Sequence, residues 1–212
     1  NYIDLNQEQR RYIQEIFEKQ LFPVLTPLSV DPSHPFPLMS TLSLNLGVLV
    51  KHPETGAEHF ARVKAPDILP RFIAFPEELR QNEGKSYQWM GVPLEQVIAH
   101  NLESLFPGMT VVECHFFRIT RDADFELAED EADDLLLLME QELRTRHFSG
   151  AVVRLEINPS LSPELREMLK AKMGIAEEDI YEVEGLLNLK DLMSFLALPR
   201  PDLKDKPWTP LV

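Results

Sequence analysis

The chain has 212 residues, with 21 Lys and Arg against 35 Asp and Glu, a formal net charge of -14. That balance excludes nucleic acid and anionic membrane as default partners, because both demand clustered positive charge. With 44% apolar and 26% charged residues the composition is that of a folded globular protein, and no apolar run reaches the roughly 18 to 20 residues of a membrane span.

Residues 6–21 are predicted to form a helix: Asn6 and Gln9 stand three apart as a capping box, and Ile13, Phe17 and Leu21 recur at i, i+4, i+8. Pro23 stops it. Five prolines from Pro23 to Pro37 then exclude both helix and central strand and leave a stiff, extended connection. The His34-Pro35-Phe36-Pro37 stretch reads as a tight crossover pinned by Phe36 rather than a docking segment. Alternation over Ser43–Lys51, with Leu44, Leu46, Val48 and Val50 on one face, predicts a strand, and a turn through Gly56 predicts a hairpin partner over Ala57–Lys64.

A short helix is expected after Pro66 and a strand over Ser86–Gly91. Pro93 opens a predicted helix with Leu94, Val97, Ile98, Leu102 and Leu105 facing the core, ended by Pro107-Gly108. Thr110–Thr120 reads as a long strand. The stretch Glu129–His147 reads as an amphipathic helix, acidic in its first turn and basic in its last. Ala151–Ile157 is a predicted strand with Val153, Leu155 and Ile157 on one face. A helix capped by Ser162-Pro163 and ended by Gly174, a strand near Ile180–Val183 and a helix near Leu189–Leu196 complete the order. Hairpin-short joins mixed with crossover helices imply an α/β (α+β) fold, a mixed β-sheet with helices packed on it. The expected division is an amino-terminal helix and Pro-rich connection over 1–40, a compact domain over 41–200 and a linker over 201–212.

Chemical candidates are few. Asp122, Asp124 and Glu126, followed by Asp130 and Asp133, imitate the start of a calcium loop, but Leu127 stands where the turn needs glycine and the twelfth position lacks a bidentate glutamate. An acidic helix start is the better reading, and no metal site is assigned. None of the six histidines has a helical zinc spacing, and Cys114 and His115, adjacent on a strand, point to opposite faces. The lone Cys114 suits a reducing compartment, so a cytoplasmic location is expected. No phosphate-cradling glycine loop and no nucleophile motif is present, so no catalytic residue is assigned. Arg118, Arg121 and Arg154 can be read as forks for a phosphate chain or a partner's carboxylates, or Arg118 and Arg154 as cross-strand partners of Glu156, which the acidic majority favours. Arg118, Arg121 and Lys64 are the best candidates for a locally basic, substrate-binding exception.

Several stretches, taken in order, carry a resemblance: Phe22-Pro-Val-Leu-Thr-Pro-Leu-Ser-Val-Asp-Pro-Ser-His-Pro-Phe-Pro37, Leu42-Ser-Leu-Asn-Leu46, Ala61-Arg-Val-Lys64, Leu69-Pro-Arg-Phe72, Leu105-Phe-Pro-Gly108, Phe117-Arg-Ile-Thr-Arg-Asp-Ala-Asp124 and Val153-Arg-Leu-Glu156. Together they closely resemble the middle, or head, domain of bacterial polyphosphate kinases of the histidine-phosphorylating type. The resemblance implies a parent enzyme that reversibly moves the terminal phosphate of ATP onto polyphosphate, through a phosphohistidine and with Mg. It also implies that the catalytic motifs lie beyond Val212, that this part is a non-catalytic scaffold and dimerisation module without a cofactor of its own, and that its partners are sister domains and a second copy in a homodimer. The start at Asn1 and the proline-punctuated end fit a piece of a longer chain better than a free-standing acidic adaptor.

Overall fold

The computed structural model describes residues 1–30, 36–82, 84–122, 150–206 and 208–209. Its centre is a six-stranded sheet of β1 (Leu28–Val30), β2 (Leu44–Lys51), β3 (Glu58–Lys64), β8 (Thr110–Arg121), β9 (Val152–Ile157) and β10 (Ile180–Glu182). The strand order is β1-β3-β2-β8-β9-β10, every pair antiparallel except β9 with β10. Two small ribbons, β4 (Phe72–Ala74) with β7 (Gly91–Pro93) and β5 (Gln81–Asn82) with β6 (Lys85–Ser86), lie outside it. The fold is thus the mixed α/β arrangement expected from the alternation of short and long joins.

One sheet face carries Leu44, Leu46, Val48, Val50, Ala61 and Val63, all buried. They pack with α1 (Gln7–Ile16), α2 (Leu94–Ala99) and α3 (Leu102–Leu105) through Ile13, Phe17, Leu94, Val97, Ile98 and Leu102. The opposite face carries Phe117, Ile119, Leu155 and Ile157 against Leu165 and Leu169 of α4 (Pro163–Met173). Each such fully buried side chain contributes about 1.5–3 kcal/mol by leaving water. The two layers use the two sides of β8, Val111, Cys114 and Phe116 facing the first and Phe117 and Ile119 the second.

The local predictions hold where side-chain chemistry decides. The Asn6 side chain accepts the Gln9 amide N–H at 2.9 Å and Gln9 accepts that of Asn6 at 2.9 Å, closing the capping box. Ile13, Phe17 and Leu21 are all buried. Ser162 caps α4 and Gly174, with φ 66°, ends it in the left-handed region. The β2–β3 hairpin closes as expected, and the Pro-rich segment supplies the edge strand β1.

Several boundaries differ. The first helix is α-helical only to Ile16, after which Phe17–Leu21 widens into a π turn and Phe22–Val24 tightens into a 3-10 turn. The helix expected after Pro66 is absent there; a 3-10 turn, Glu77–Leu79, follows Pro76 instead. Ser86–Gly91 is not one strand, since only its ends pair, with different partners. The helix from Pro93 breaks at His100-Asn101, where Asn101 Nδ2 donates to the Val97 carbonyl at 2.8 Å. The segment Leu189–Ala197 is 3-10 rather than α. A register shift opposite Thr120/Arg121 flips the start of β9, so that Val152, not Val153, joins Leu155 and Ile157 in the core. The helix expected over Glu129–His147 lies outside the described residues, as do His34 and the acidic positions Asp124, Glu126, Asp130 and Asp133.

Candidate functional site

The three basic candidates do not converge. Directly opposed residues of antiparallel strands share a face, and the register places Lys64 beside Asn45 and Phe117 while Arg118 sits opposite Leu44 on the other face. Lys64 Nζ is held by Asp67 at 3.0 Å. Arg118 donates through Nη1 to both oxygens of Glu156, at 3.2 and 3.0 Å, and through Nε to the Leu42 carbonyl at 3.3 Å. Glu156 also accepts from Arg154 Nε at 2.9 Å, and the Arg154 guanidinium lies 3.9 Å from the centre of the Tyr181 ring. The pairing with Glu156 expected for Arg118 and Arg154 therefore forms, across strands for Arg118 but within β9 for Arg154.

Arg121 differs from the other two. Its Nε donates to the Met39 carbonyl at 3.0 Å and its Nη1 to the Gly150 carbonyl at 2.8 Å, and no carboxylate pairs with it among the described residues. Burial alone pulls its pKa below the ordinary arginine value. Arg62, on β3, shares this condition more deeply. It is buried, donates Nε to Asn45 Oδ1 at 2.7 Å, and is likewise lowered by desolvation.

The best-built polar cluster is one that spacing alone did not single out. Arg71, at the start of the β4 ribbon, makes a two-point fork to Glu95 of α2, Nη2 to Oε1 at 2.5 Å and Nε to Oε2 at 2.8 Å. The same guanidinium reaches the carboxylate of Asp191 at 3.1 Å and the carbonyls of Leu187 and Asn188 at 2.9 and 3.1 Å. Burial lowers its pKa, but the hydrogen bonds and charge of Glu95, then those of Asp191, more than offset this, so it stands above the ordinary arginine value. Arg71 belongs to the Leu69-Pro-Arg-Phe72 stretch, but its partners lie 24 and about 120 residues further on, beyond the reach of any local pattern.

Two adjoining hollows flank this cluster. A cleft of about 270 Å³ runs between the end of the sheet at Thr41–Leu44, the loop Ala65–Leu69 and the 3-10 segment, with Arg118 and Lys190 on its wall. A groove of about 540 Å³ continues from it and is lined by Phe72, Trp89 and Phe195. Those three rings lie 4.6, 4.9 and 6.4 Å apart between centres.

One further constellation has the order of a hydrolytic relay. His115 Nε2 lies 2.8 Å from Glu113 Oε2 and its Nδ1 3.4 Å from Ser160 Oγ, while Glu113 Oε1 accepts from Ser162 Oγ at 3.0 Å. Ser162 is already used as the cap of α4, and none of the four residues lines either hollow. The network clamps α4 to β8, in keeping with the structural role expected for His115. Among the described residues no group of three His, Cys, Asp or Glu side chains is placed to hold a metal ion.

The family model described as "Polyphosphate kinase middle domain" matches residues 8–195. A polyphosphate kinase of Aphanizomenon baltica is 62% identical over 208 residues, covering 98% of this chain and 54% of that protein. That of Synechocystis sp. is 57% identical over 213 residues, covering 100% of this chain and 29% of that protein. The crystal structure of polyphosphate kinase from Porphyromonas gingivalis aligns with a TM-score of 0.72 over 98% of this chain and 28% of that one, at 23% identity, a likeness of fold. The chain thus spans between about a quarter and about half of the proteins it matches.

Proposed function

Because the chain belongs to the polyphosphate kinase family, as its middle domain, we propose that it serves a longer enzyme as a scaffold and dimerisation module and carries out no phosphotransfer itself. The parent enzyme would move the terminal phosphate of ATP reversibly onto polyphosphate, using Mg and a phosphohistidine supplied by domains this chain does not include, in the cytoplasm. The division expected from sequence is retained: a connecting segment over 1–40, the middle domain over 41–200 and a linker over 201–212.

The observation that carries this reading is a strip of unburied apolar side chains on the last segment. Leu189, Met193, Leu196, Leu203 and Trp208 are between 59 and 83% exposed. Exposed apolar residues scattered singly need no explanation, but a run within 20 residues marks a surface meant to be covered. Sister domains or a second copy are the occupants that fit a chain with this share of its relatives' length. Light scattering over a range of concentrations tests the dimer, and incubation with labelled ATP and polyphosphate tests the chemistry. A base-resistant, acid-labile label on the isolated chain refutes the non-catalytic part, and a concentration-independent monomer refutes dimerisation by this chain alone.

A second reading rests on Arg121, whose charge is met, among the described residues, by carbonyl oxygens. In it Arg121, with Arg118 on the same strand, contributes to the polyphosphate or nucleotide path of the intact enzyme. Arg121→Gln in a full-length relative would then weaken substrate binding without altering assembly.

A further inference from the structure

The chain beyond Asn188 is held to the body of the domain by few ties. None of residues 189–206 is buried, and Asp191, Phe195, Leu198 and Arg200 alone are half-buried. Among the described residues its backbone hydrogen bonds stay within the segment, as from Leu198 to Phe195 and from Leu203 to Arg200, and it pairs with no strand. One hydrogen bond joins it to the chain before Leu187, from Arg71 Nη1 to the Asp191 carboxylate at 3.1 Å. Four residues on, Phe195 sets its ring against Phe72 and Trp89, 4.6 and 4.9 Å between centres. Just before the segment the anchoring is dense. Leu187 is buried, its carbonyl and that of Asn188 accept from Arg71 at 2.9 and 3.1 Å, and Asn158 Nδ2 donates to the carbonyls of Val183 and Gly185 at 3.0 Å each. Where the firm part meets the loose part stands Asn188 at φ 53°, a left-handed backbone that asparagine tolerates better than most side chains.

We propose that residues 189–206 act as a strap that opens as a unit about Asn188 while the sheet stays folded, its latch being Asp191 on Arg71 and Phe195 against Phe72 and Trp89. Units that open below the global free energy are those with few buried apolar contacts, which is the condition of this segment. Opening leaves Arg71 its two-point fork to Glu95, so the body keeps its central tie. Closed, the strap covers Phe72 and Trp89 with Phe195 and turns Leu189, Met193 and Leu196 outward; open, it bares the aromatic groove as a second apolar surface. A partner that binds either surface more tightly in one state shifts the strap toward that state. The inference concerns how the segment is held and stands whatever covers its outer side.

Hydrogen exchange of the intact chain, followed by mass spectrometry at several urea concentrations, tests this. Amides of 189–198 are expected to exchange through one shared opening, about a hundred-fold more accessible than that of β2 and β8 and with a smaller urea dependence. Phe195→Ala and Asp191→Ala are each expected to speed exchange of the whole segment about ten-fold and to leave β2, β8 and the melting curve unchanged. The chain has two tryptophans, and Trp208 is exposed, so Trp208→Phe leaves Trp89 as the reporter of the groove. In that background Asp191→Ala, at the other point of the latch, is expected to raise acrylamide quenching of Trp89 about two-fold. Exchange of the segment at the rate and urea dependence of the sheet overturns the proposal. So does acceleration confined to the residues beside each substitution, or Trp89 quenching that is indifferent to Asp191→Ala.

Discussion

Replacing Arg71 by Met puts the central tie of this fold to a direct test. The substitution keeps the length of the stem and removes the guanidinium, leaving Glu95, which is 2% exposed, buried without its cation. Removing one partner of a buried pair costs about 3–5 kcal/mol, because the remaining charge keeps its desolvation penalty. Asp191 is about a third exposed and adds little to this figure, since water can replace the lost partner. For a chain of this size about 1 kcal/mol corresponds to 2–4 °C, so the melting temperature is expected to fall by about 6–20 °C. The double variant Arg71→Met, Glu95→Leu removes both charges and is expected to recover most of the loss, as apolar replacements of buried pairs do. Thermal melting by circular dichroism, with urea unfolding for the free energies, reads both. A single variant costing less than about 1 kcal/mol, or a double variant less stable than the single, would refute the reasoning.

Gln9→Leu is expected to cost about 1–3 kcal/mol, measured by urea unfolding, because the Nε2 group that donates to the Leu79 and Gln81 carbonyls at 2.8 and 3.1 Å is lost from a fully buried position. Asn6→Ala removes the cap and a long exposed bond from Nδ2 to the Gln81 carbonyl and should cost about 1 kcal/mol. Burial pushes the Cys114 thiol up from 9.0 to about 12, so the folded state favours the neutral thiol. Its contribution is complete below pH 9 and is lost as pH rises from there to about 12; Cys114→Ala should flatten that part of the stability profile, and iodoacetamide at pH 8 should label the thiol only after unfolding. Gly91→Ala would bring a methyl within 2.9 Å of the Ile73 carbonyl oxygen and 2.8 Å of the Trp89 ring, so a loss of about 1–3 kcal/mol and a changed near-ultraviolet signal from Trp89 are expected.

What could be read from the sequence follows the range of the forces involved. The cap at Asn6, the stop at Gly174 and the hairpin at Gly56 depend on neighbours within a few residues, and each appears where the pattern placed it. The alternation of Leu44 to Val50 identified a core face because β2 is paired on both sides. Val153 was misplaced because a bulge is set by the partner strand, which a single-strand pattern does not contain. The site followed the same rule. Pairing of Arg118 and Arg154 with Glu156 was legible from their positions on two strands, whereas the union of Arg71, Glu95 and Asp191 needs three separate parts of the chain to be folded first. Lys64 and Arg118 looked alike as basic residues, and only the strand register shows that they face opposite ways.

The strand order has a consequence for synthesis. β2 and β3 are neighbours in sequence and can close their hairpin as soon as both have left the ribosome, but the other edge of β2 belongs to β8, some 60 residues downstream. At roughly 5–20 residues per second the nascent chain waits several seconds with that edge unpaired and with Leu46 and Val48 uncovered. The remaining strands are then added from the carboxyl side, so β2, among the first strands made, is enclosed only when β8 arrives, and β8 and β9 wait in turn for β9 and β10.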